Sequence, residues 1–351
     1  MTNPYKNLGD NAFWKLAVAD RNMFAISELW SPKFHLKQNH KVVTYGSCFA
    51  QHIGRALKER GFNWHRTEEP PVGLSSENCK IFNYDIFSSR TGNIYTTTLL
   101  KQWIKWCIDP TSISDETWVS GNRFIDPFRP RIEPDGFQSA HEARQSLLQT
   151  VNSFHQSIKD ADVFVFTLGL TESWHNEETG VEYPMCPGTV AGDFDPEKHK
   201  FENLSFSRTY HALSDSINMM KEINPELRFI LTVSPVPLTA TYTGQHVVLA
   251  TMAAKSTLRA VAHEFAVQNE YIDYFPSYEI INSPVFKGAF FEPNQRNVSS
   301  FGVNFVMNSF FECIQKRFGD VSFSSSPSSP PTSEEAEDAV CEEELLDAFK
   351  K

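Results

Sequence analysis

Ser47 and Cys48 are the side chains in this sequence best placed to act as a nucleophile. The apolar run at residues 42–45 stops at Gly46-Ser47-Cys48, and a helical pattern follows from Ile53 to Leu57. This order predicts a strand, a sharp turn and the start of a helix. A hydroxyl at such a turn meets unpaired backbone N–H groups and the positive end of the helix dipole, so donors for an oxyanion are at hand. The stretch is typical of acyl chemistry.

The same serine has a simpler interpretation as a helix cap. Serine is a preferred N-cap residue, and its oxygen can accept a hydrogen bond from a free helix N–H without any further role. Cys48 at a helix N-terminus is a competent nucleophile as a thiolate, but we expect it to turn into the core beneath the turn as a small buried residue. The remaining strand ends decide between the two interpretations of Ser47.

Four short β-type runs separated by helical patterns predict an α/β fold whose parallel sheet is covered on both faces. Each run ends in small or polar residues. In such a sheet the ligand crevice lies beyond the carboxyl ends of the strands, so these polar segments should converge there. A capping serine predicts nothing about the other strand ends, so the pattern favours a functional Ser47. The runs span residues 42–45, 163–168, 229–233 and 271–275, and the helical patterns span 53–60, 142–158, 208–222 and 249–268.

Composition indicates a globular chain. Its 351 residues are 40% hydrophobic and 13% aromatic, which suffices for one large core or two modest ones. No run of about 18 apolar residues occurs, and the N-terminus lacks a charged region followed by an apolar one. We therefore expect a soluble, cytoplasmic protein with no membrane span.

Cysteine spacing and charge narrow the function classes further. The six cysteines form no C-x-x-C pair and no Cys/His spacing of a zinc site, so we expect free thiols, no metal and no cofactor. The net charge is −11, of which the last 21 residues contribute −6 through eight acidic side chains and two lysines. The rest of the chain offers no basic field for nucleic acid.

Three regions follow from these patterns: an N-terminal extension at residues 1–29, an α/β domain at 30–318 and a disordered acidic tail at 319–351. The Ser/Pro-rich stretch 322–331 is too poor in large apolar groups to offset its ordering entropy. Near the end, Val340, Leu345 and Phe349 can share one side of a short helix. Residues 339–349 are therefore either a docking peptide for a protein partner or a solubilising end.

Five motifs occur in an order that resembles the GSCFA domain family. They are Gly46-Ser47-Cys48-Phe49-Ala50 and residues 167–172, 232–236, 255–256 and 275–280. That family is similar to the SGNH (GDSL-type) esterases and acylhydrolases. The resemblance implies a three-layer α/β/α sandwich with a flavodoxin-like parallel sheet, and a serine nucleophile at the end of the first strand.

The resemblance also implies an oxyanion hole. Ser47 matches the nucleophile, and its own N–H is one donor. Gly92-Asn93 matches a glycine loop that supplies a second donor in the wider group, although an ordinary turn glycine would fit equally well. Gly169-Leu170-Thr171-Glu172 stands where SGNH enzymes carry Gly-x-Asn-Asp, so the Thr171 hydroxyl takes the place of the asparagine.

The base is where the sequence departs from the family pattern. SGNH enzymes and many GSCFA relatives carry Asp-x-x-His late in the domain, and here Asn294 and Asn297 fall on those positions. Neither asparagine takes up a proton at neutral pH. A serine without an adjacent base is a poor nucleophile, so another base is needed for turnover.

Four residues are alternative bases. His246 lies in a loop beyond the third strand and can fold over the crevice, and Glu279 closes the fourth strand and serves as a base if burial raises its pKa. His52 is rotated about 140° from Ser47 around the first helix and would face away. His175 is a weaker option. Each is also explained by a structural role, as a surface histidine or a capping carboxylate.

Arg296 adds an anion-binding group to the predicted site. A guanidinium close to Ser47 and Thr171 can grip a carboxylate, phosphate or sulfate. The predicted substrate-binding residues are Glu172, Asn294, Arg296 and Asn297.

The leading hypothesis is a serine esterase or acyltransferase acting on an ester of a carbohydrate or small metabolite through Ser47. One alternative is a catalytically impaired protein that binds carbohydrate or acyl ligands and lacks the Asp-x-x-His base. Another is an adaptor that works through its acidic tail.

Overall fold

A computed structural model of the chain describes residues 3–319 and 341–350. Within these residues the strands are β1 Val42–Gly46, β2 Trp118–Ser120, β3 Arg123–Ile125, β4 Val163–Leu168, β5 Glu172–Asn176, β6 Glu182–Tyr183, β7 His199–Asn203, β8 Arg228–Val233 and β9 Ile272–Tyr274. The α-helices are α1 Phe49–Glu59, α2 Ser76–Ile81, α3 Thr97–Ile108, α4 Ala140–Asp160, α5 Phe206–Ile223, α6 Val247–Gln268, α7 Ser277–Asn282 and α8 Ser300–Phe318.

The central element is a four-stranded sheet in the order β1-β4-β8-β9, and every neighbouring pair is parallel. Its strands consist mainly of valine, phenylalanine, isoleucine and leucine and are buried almost throughout. Apolar strands without alternation are expected where both faces of a parallel sheet are covered.

Helices cover both faces, as the alternation of strand and helix predicts. On one face, Tyr45 and Phe164 pack into a core with side chains from α3, α4, α5 and α6. On the other face, Val42 and Val165 pack with α1, α7 and α8. The predicted α/β fold with a parallel sheet between helical layers is therefore confirmed, and the arrangement is consistent with a flavodoxin-like sandwich. Within the described ranges no helix is both long and apolar enough to cross a membrane.

Two smaller sheets were not predicted. β2 and β3 form a short antiparallel hairpin, and β5 pairs antiparallel with both β6 and β7 directly after β4. The second of these sheets extends from the end of β4, where the motif at residues 169–172 leaves the central sheet.

The C-terminal residues 341–350 contact the loop before α3, at Asn93 and Tyr95, and the turn before α8, at Arg296. They contain a 3-10 helix at Glu342–Lys350, and the Cys341 and Glu342 residues are each only 4% exposed. Of the region 319–351 that the sequence predicts to be disordered, residues 320–340 and 351 lie outside the described residues, including the Ser/Pro-rich stretch. The described part of that tail instead forms a short helix on the protein's own domain, and we call residues 341–350 the C-terminal segment.

Candidate active site

The turn after β1 depends on glycine at position 46. Gly46 has a φ of +123°, and a Cβ at this position would lie 2.2 Å from the Thr167 carbonyl oxygen on β4. Only glycine combines that backbone conformation with so close an approach. The Ser47 N–H then donates to the Thr167 carbonyl at 3.0 Å. This N–H, which the family resemblance implies as an oxyanion donor, is therefore engaged with the sheet in this structure.

The Ser47 hydroxyl is buried but unsatisfied. The residue is 2% exposed, and its Oγ has no hydrogen-bond partner among the described residues. The N-cap of α1 is Cys48, which makes no side-chain capping bond, whereas Thr96, Ser139 and Ser205 cap α3, α4 and α5 through their hydroxyls. The capping interpretation of Ser47 is therefore wrong. A buried polar atom without a partner is unusual and points to a ligand or a functional role.

Gly169 lies directly beside Ser47. A Cβ at position 169 would be 3.0 Å from the Ser47 Cβ, so the lack of a side chain permits this contact. The Gly169 N–H donates to the Tyr95 carbonyl at 3.1 Å. Its carbonyl oxygen accepts a hydrogen bond from the Lys255 Nζ at 2.8 Å. Gly169 thus links Ser47 to a buried lysine.

Lys255 is the main site residue for which sequence reasoning assigned no role. It lies on α6, is 1% exposed, and burial lowers the pKa of its amine to about 8. Lysines are almost never fully buried without a partner. The signal in the sequence was its position on the buried stripe of α6, next to Ala254 and three residues before Leu258. A lysine on an apolar stripe indicates either a satisfied charge or a functional amine.

The loop before α3 brings Asn93 and Tyr95 to the crevice. The Ile94 N–H donates to the Gly46 carbonyl at 2.8 Å, which ties the loop to the end of β1. The Asn93 amide is buried and donates to the Tyr95 hydroxyl at 3.2 Å. Gly92 adopts a φ of +68°, the left-handed conformation that favours glycine. The predicted Gly92-Asn93 loop therefore does lie at the candidate site.

Thr171 and Glu172 have structural partners. The Thr171 hydroxyl donates to Asn203 Oδ1 at 2.7 Å, so its proton is directed to β7. The Glu172 carboxylate accepts from the Thr241 hydroxyl and from the Tyr242 N–H at 3.0 Å. Both residues thereby hold the second sheet and the loop before α6 in place beside the crevice.

None of the alternative bases forms a hydrogen bond with the Ser47 hydroxyl, because its Oγ has no hydrogen-bond partner within residues 3–319 and 341–350. His246 is exposed and is the N-cap of α6, accepting from the Val248 N–H at 3.2 Å. Glu279 pairs with Arg259 and accepts from the Tyr274 hydroxyl at 2.8 Å. His52 packs against the Phe49 ring, and burial lowers its pKa to about 3. His175 lies on β5, opposite Lys200 of the antiparallel strand β7.

The segment that replaces Asp-x-x-His forms a turn. The Asn294 side chain is exposed and accepts from the backbone N–H groups of Arg296 and Asn297, at 3.0 and 2.9 Å. The Asn297 Oδ1 accepts from the Arg296 guanidinium at 3.3 Å. Asn294 and Asn297 thus orient Arg296, and the Arg296 side chain is 13% exposed.

The C-terminal segment fills the crevice between these groups. The Glu342 carboxylate accepts from the Tyr95 hydroxyl at 2.6 Å and from the Asn93 amide. Arg296 pairs with the carboxylates of Glu343 at 3.8 Å and Glu344 at 3.3 Å. The carboxylates that Arg296 contacts in this structure are therefore those of the protein's own C-terminal segment.

Cys48 also belongs to this site. Its thiol is hydrogen-bonded with Cys341 of the C-terminal segment, and this bond together with burial raises the pKa of Cys48. Cys48 is 7% exposed, as expected of a small buried residue, and it also contacts the C-terminal segment. All six cysteines are free thiols.

Comparison with known proteins agrees with the order of the motifs. The GSCFA family matches the chain over residues 41–310, a range that includes every strand of the central sheet. No curated protein and no solved structure gives a significant match. Since the family match spans most of the sequence, the chain belongs to the GSCFA family.

Proposed function

We propose that the protein is a serine esterase or acyltransferase in which Ser47 carries the acyl group and Lys255 serves as its base. The observation that carries this proposal is the buried Ser47 hydroxyl, which has no partner and lies beside the residue that binds Lys255. The same observations support the likeness to SGNH-type enzymes, in which a strand-end serine is the nucleophile. The substrate class is an ester of a carbohydrate or another small metabolite.

In this mechanism the neutral Lys255 amine leaves the Gly169 carbonyl and accepts the Ser47 proton as Oγ attacks the ester carbonyl carbon. The resulting oxyanion receives hydrogen bonds from the Asn93 amide and from backbone N–H groups at the start of α1. When the tetrahedral intermediate collapses, the C–O bond to the alcohol breaks and the Lys255 ammonium returns the proton to that alcohol. Water or an acceptor hydroxyl then attacks acyl-Ser47 by the same route.

Binding without turnover is the alternative, and one observation favours it. The Lys255 amine donates to Gly169 and not to Ser47, so the proton path from Oγ is not closed in this structure. Catalytic hydrogen bonds often tighten only when substrate is present, so the esterase mechanism requires the Lys255 amine to turn from Gly169 toward Ser47 when substrate binds.

Labelling with a fluorophosphonate probe separates the two functions. An activated serine forms a covalent adduct with the probe, detected by intact mass or gel fluorescence. We expect the wild-type chain to label and Ser47→Ala to lose the adduct, while Ser299→Ala, which removes the N-cap of α8, keeps it. If both the wild type and the variant E342A/E343A/E344A, which loses the carboxylates that the C-terminal segment places in the crevice, remain unlabelled at every pH between 6 and 9, the activated-serine proposal fails and the binding function stands.

A further inference from the structure

The C-terminal segment buries side chains that would normally stay in water. Glu342 is 4% exposed, although a buried carboxylate is costly unless donors replace its hydration. Two donors meet one of its oxygens, Oε2: the Tyr95 hydroxyl at 2.6 Å and the Asn93 amide. The Glu342 N–H donates back to the Tyr95 hydroxyl at 3.3 Å. Two neutral donors of the crevice therefore satisfy the hydrogen-bonding needs of a buried carboxylate oxygen.

Cations lie on the other side of the same crevice. Arg296 contacts Glu343 and Glu344, and its guanidinium Nε is buried without a hydrogen-bond partner among the described residues. Lys255 is buried close enough to Glu343 for their charges to interact. An arginine that has an unused N–H donor and lies near a second cation can bind a carboxylate through more hydrogen bonds than the segment provides.

From these contacts we infer that the crevice beside Ser47 is a binding site for carboxylate-bearing ligands, and that residues 341–344 occupy it as an internal competitor. The donors are Asn93, Tyr95 and Arg296, and the C-terminal Cys-Glu-Glu-Glu sequence shows the ligand chemistry they accept. For the substrate, the inference rests on the proposed function: the ester that reaches Ser47 would carry a free carboxylate. The carboxylate site itself does not depend on catalysis.

Tethering explains why a competitor at this position matters. Residues 320–340 join the segment to the end of α8, so docking is intramolecular. A tethered ligand faces its site at an effective concentration on the order of millimolar. A free carboxylate ligand must therefore bind more tightly than the segment does, or the segment must first be weakened, before the ligand can occupy these donors.

A peptide-binding experiment on the full-length chain tests the inference. In the variant E342A/E343A/E344A the segment keeps its length but loses the three carboxylates. A fluorescently labelled peptide with the sequence of residues 341–350 is then titrated and followed by anisotropy. We expect it to bind this variant at least about ten-fold more tightly than the wild type, whose site is already filled.

Matched peptides report which groups carry the affinity. The peptide with E342Q should bind about ten-fold more weakly, since it loses a charge-assisted contact to Tyr95 and Asn93. The peptide with D347A should bind like the parent, because Asp347 is exposed. Adding Arg296→Met to the full-length variant should also weaken binding about ten-fold. Equal binding of the parent and E342Q peptides, or equal binding of the parent to wild type and variant, would overturn the inference.

Glutarate, a small dicarboxylate, distinguishes the source of the ligand. Displacement of the labelled peptide by glutarate supports small carboxylates as ligands, whereas peptide binding that resists glutarate supports an acidic peptide. Tight peptide binding by the E342A/E343A/E344A variant, if that variant without peptide never reacts with the fluorophosphonate, would retain the carboxylate site and reject the acyl mechanism. Labelling by the fluorophosphonate without carboxylate-dependent peptide binding would support the acyl mechanism and reject the carboxylate site.

Discussion

Lys255 shows how burial changes what a side chain can do. A lysine in water is charged at neutral pH and cannot accept a proton, whereas burial lowers the pKa of Lys255 to about 8. The groups whose charges act on it are Glu343, Cys48, Arg296 and Cys341. Near pH 8 about half of the amines are then neutral, and a neutral amine is the form that can take the Ser47 proton.

Labelling of Ser47 should therefore rise with pH. A base with a pKa near 8 is protonated below that value and becomes active above it, so the labelling rate should increase between about pH 6.5 and 9 and then level off. Lys255→Met keeps much of the side-chain volume but cannot accept a proton. We expect it to lower the rate about a hundred- to ten-thousand-fold, measured under identical probe concentrations.

Two further variants make this assignment specific. Lys255→Arg stays charged throughout the pH range, so it should not rescue the rate. His246→Gln removes one of the alternative bases named from the sequence, and it should label like the wild type because His246 is exposed at the start of α6. A pH profile that disappears in His246→Gln and persists in Lys255→Met would assign the base to the histidine.

The site could be predicted from the sequence only in part, for physical reasons. Ser47, Asn93 and Arg296 follow from the segments compared with the family pattern, and Asn93 and Arg296 do contact the same C-terminal segment. Lys255 could not be assigned, because a lysine within a helix is normally solvated and only tertiary packing shows that this one is buried. Tyr95 and Glu342 are also defined by a contact between residues far apart in sequence.

At the scale of elements, an internal charge network holds the loop that carries Asn93. The Arg90 N–H donates to Glu68 Oε2 at 2.8 Å, and the Arg129 guanidinium donates to the Arg90 carbonyl at 3.4 Å. Arg129 also pairs with the Asp126 carboxylate at 2.8 Å, with both side chains almost fully buried. The loop has little regular structure of its own, so these buried ions fix its position.

Removing one member of this network should destabilise the protein. Arg129→Met leaves the Asp126 carboxylate buried without its cation, which typically costs about 3–5 kcal/mol. We expect a loss of this size in urea unfolding followed by circular dichroism. Arg131→Met, at an exposed position nearby, should change stability by less than about 0.5 kcal/mol. Equal stabilities of the two variants would mean that the loop is held by other contacts.

The helices and strands of the domain were predictable where burial leaves an apolar pattern in the sequence. The predicted runs at 163–168 and 229–233 coincide with β4 and β8 to within one residue, because strands buried on both faces read as apolar runs. β5 was not predicted. It reads Glu-Ser-Trp-His-Asn, and such a polar strand is specified by its pairing with β7 rather than by its own composition.

At the scale of the whole molecule, docking of the C-terminal segment couples the crevice to pH. Glu343 faces Arg296 and Lys255, which favour its charged form, and Glu172 and Glu342, which oppose it. Burial is the largest effect and raises the pKa of Glu343 to about 7. A carboxyl whose pKa is raised on docking binds best when protonated, so docking is strongest at acid pH and weakens as the pH rises through about 7.

The affinity of the 341–350 peptide for the full-length E342A/E343A/E344A variant should therefore fall as the pH is raised from 5 to 7. Between the ordinary pKa of a glutamate and that of the docked Glu343, linkage allows a decrease of up to about ten-fold per pH unit. Anisotropy titrations at half-unit intervals measure this slope. Lys255 and Arg296 stay protonated through most of this range, so the slope reports on the peptide carboxyl.

A peptide with E343Q separates this effect from a general loss of charge attraction. Glutamine cannot titrate, so its affinity should be nearly constant over the same range, while E344Q, which alters a half-exposed carboxylate, should keep the slope of the parent. An equal slope for the E343Q and parent peptides would place the titrating group elsewhere in the crevice. With the expected result, acidification would keep the segment docked on Asn93, Tyr95 and Arg296, and a rise in pH to 7 and above would favour first its release and then the neutral form of Lys255.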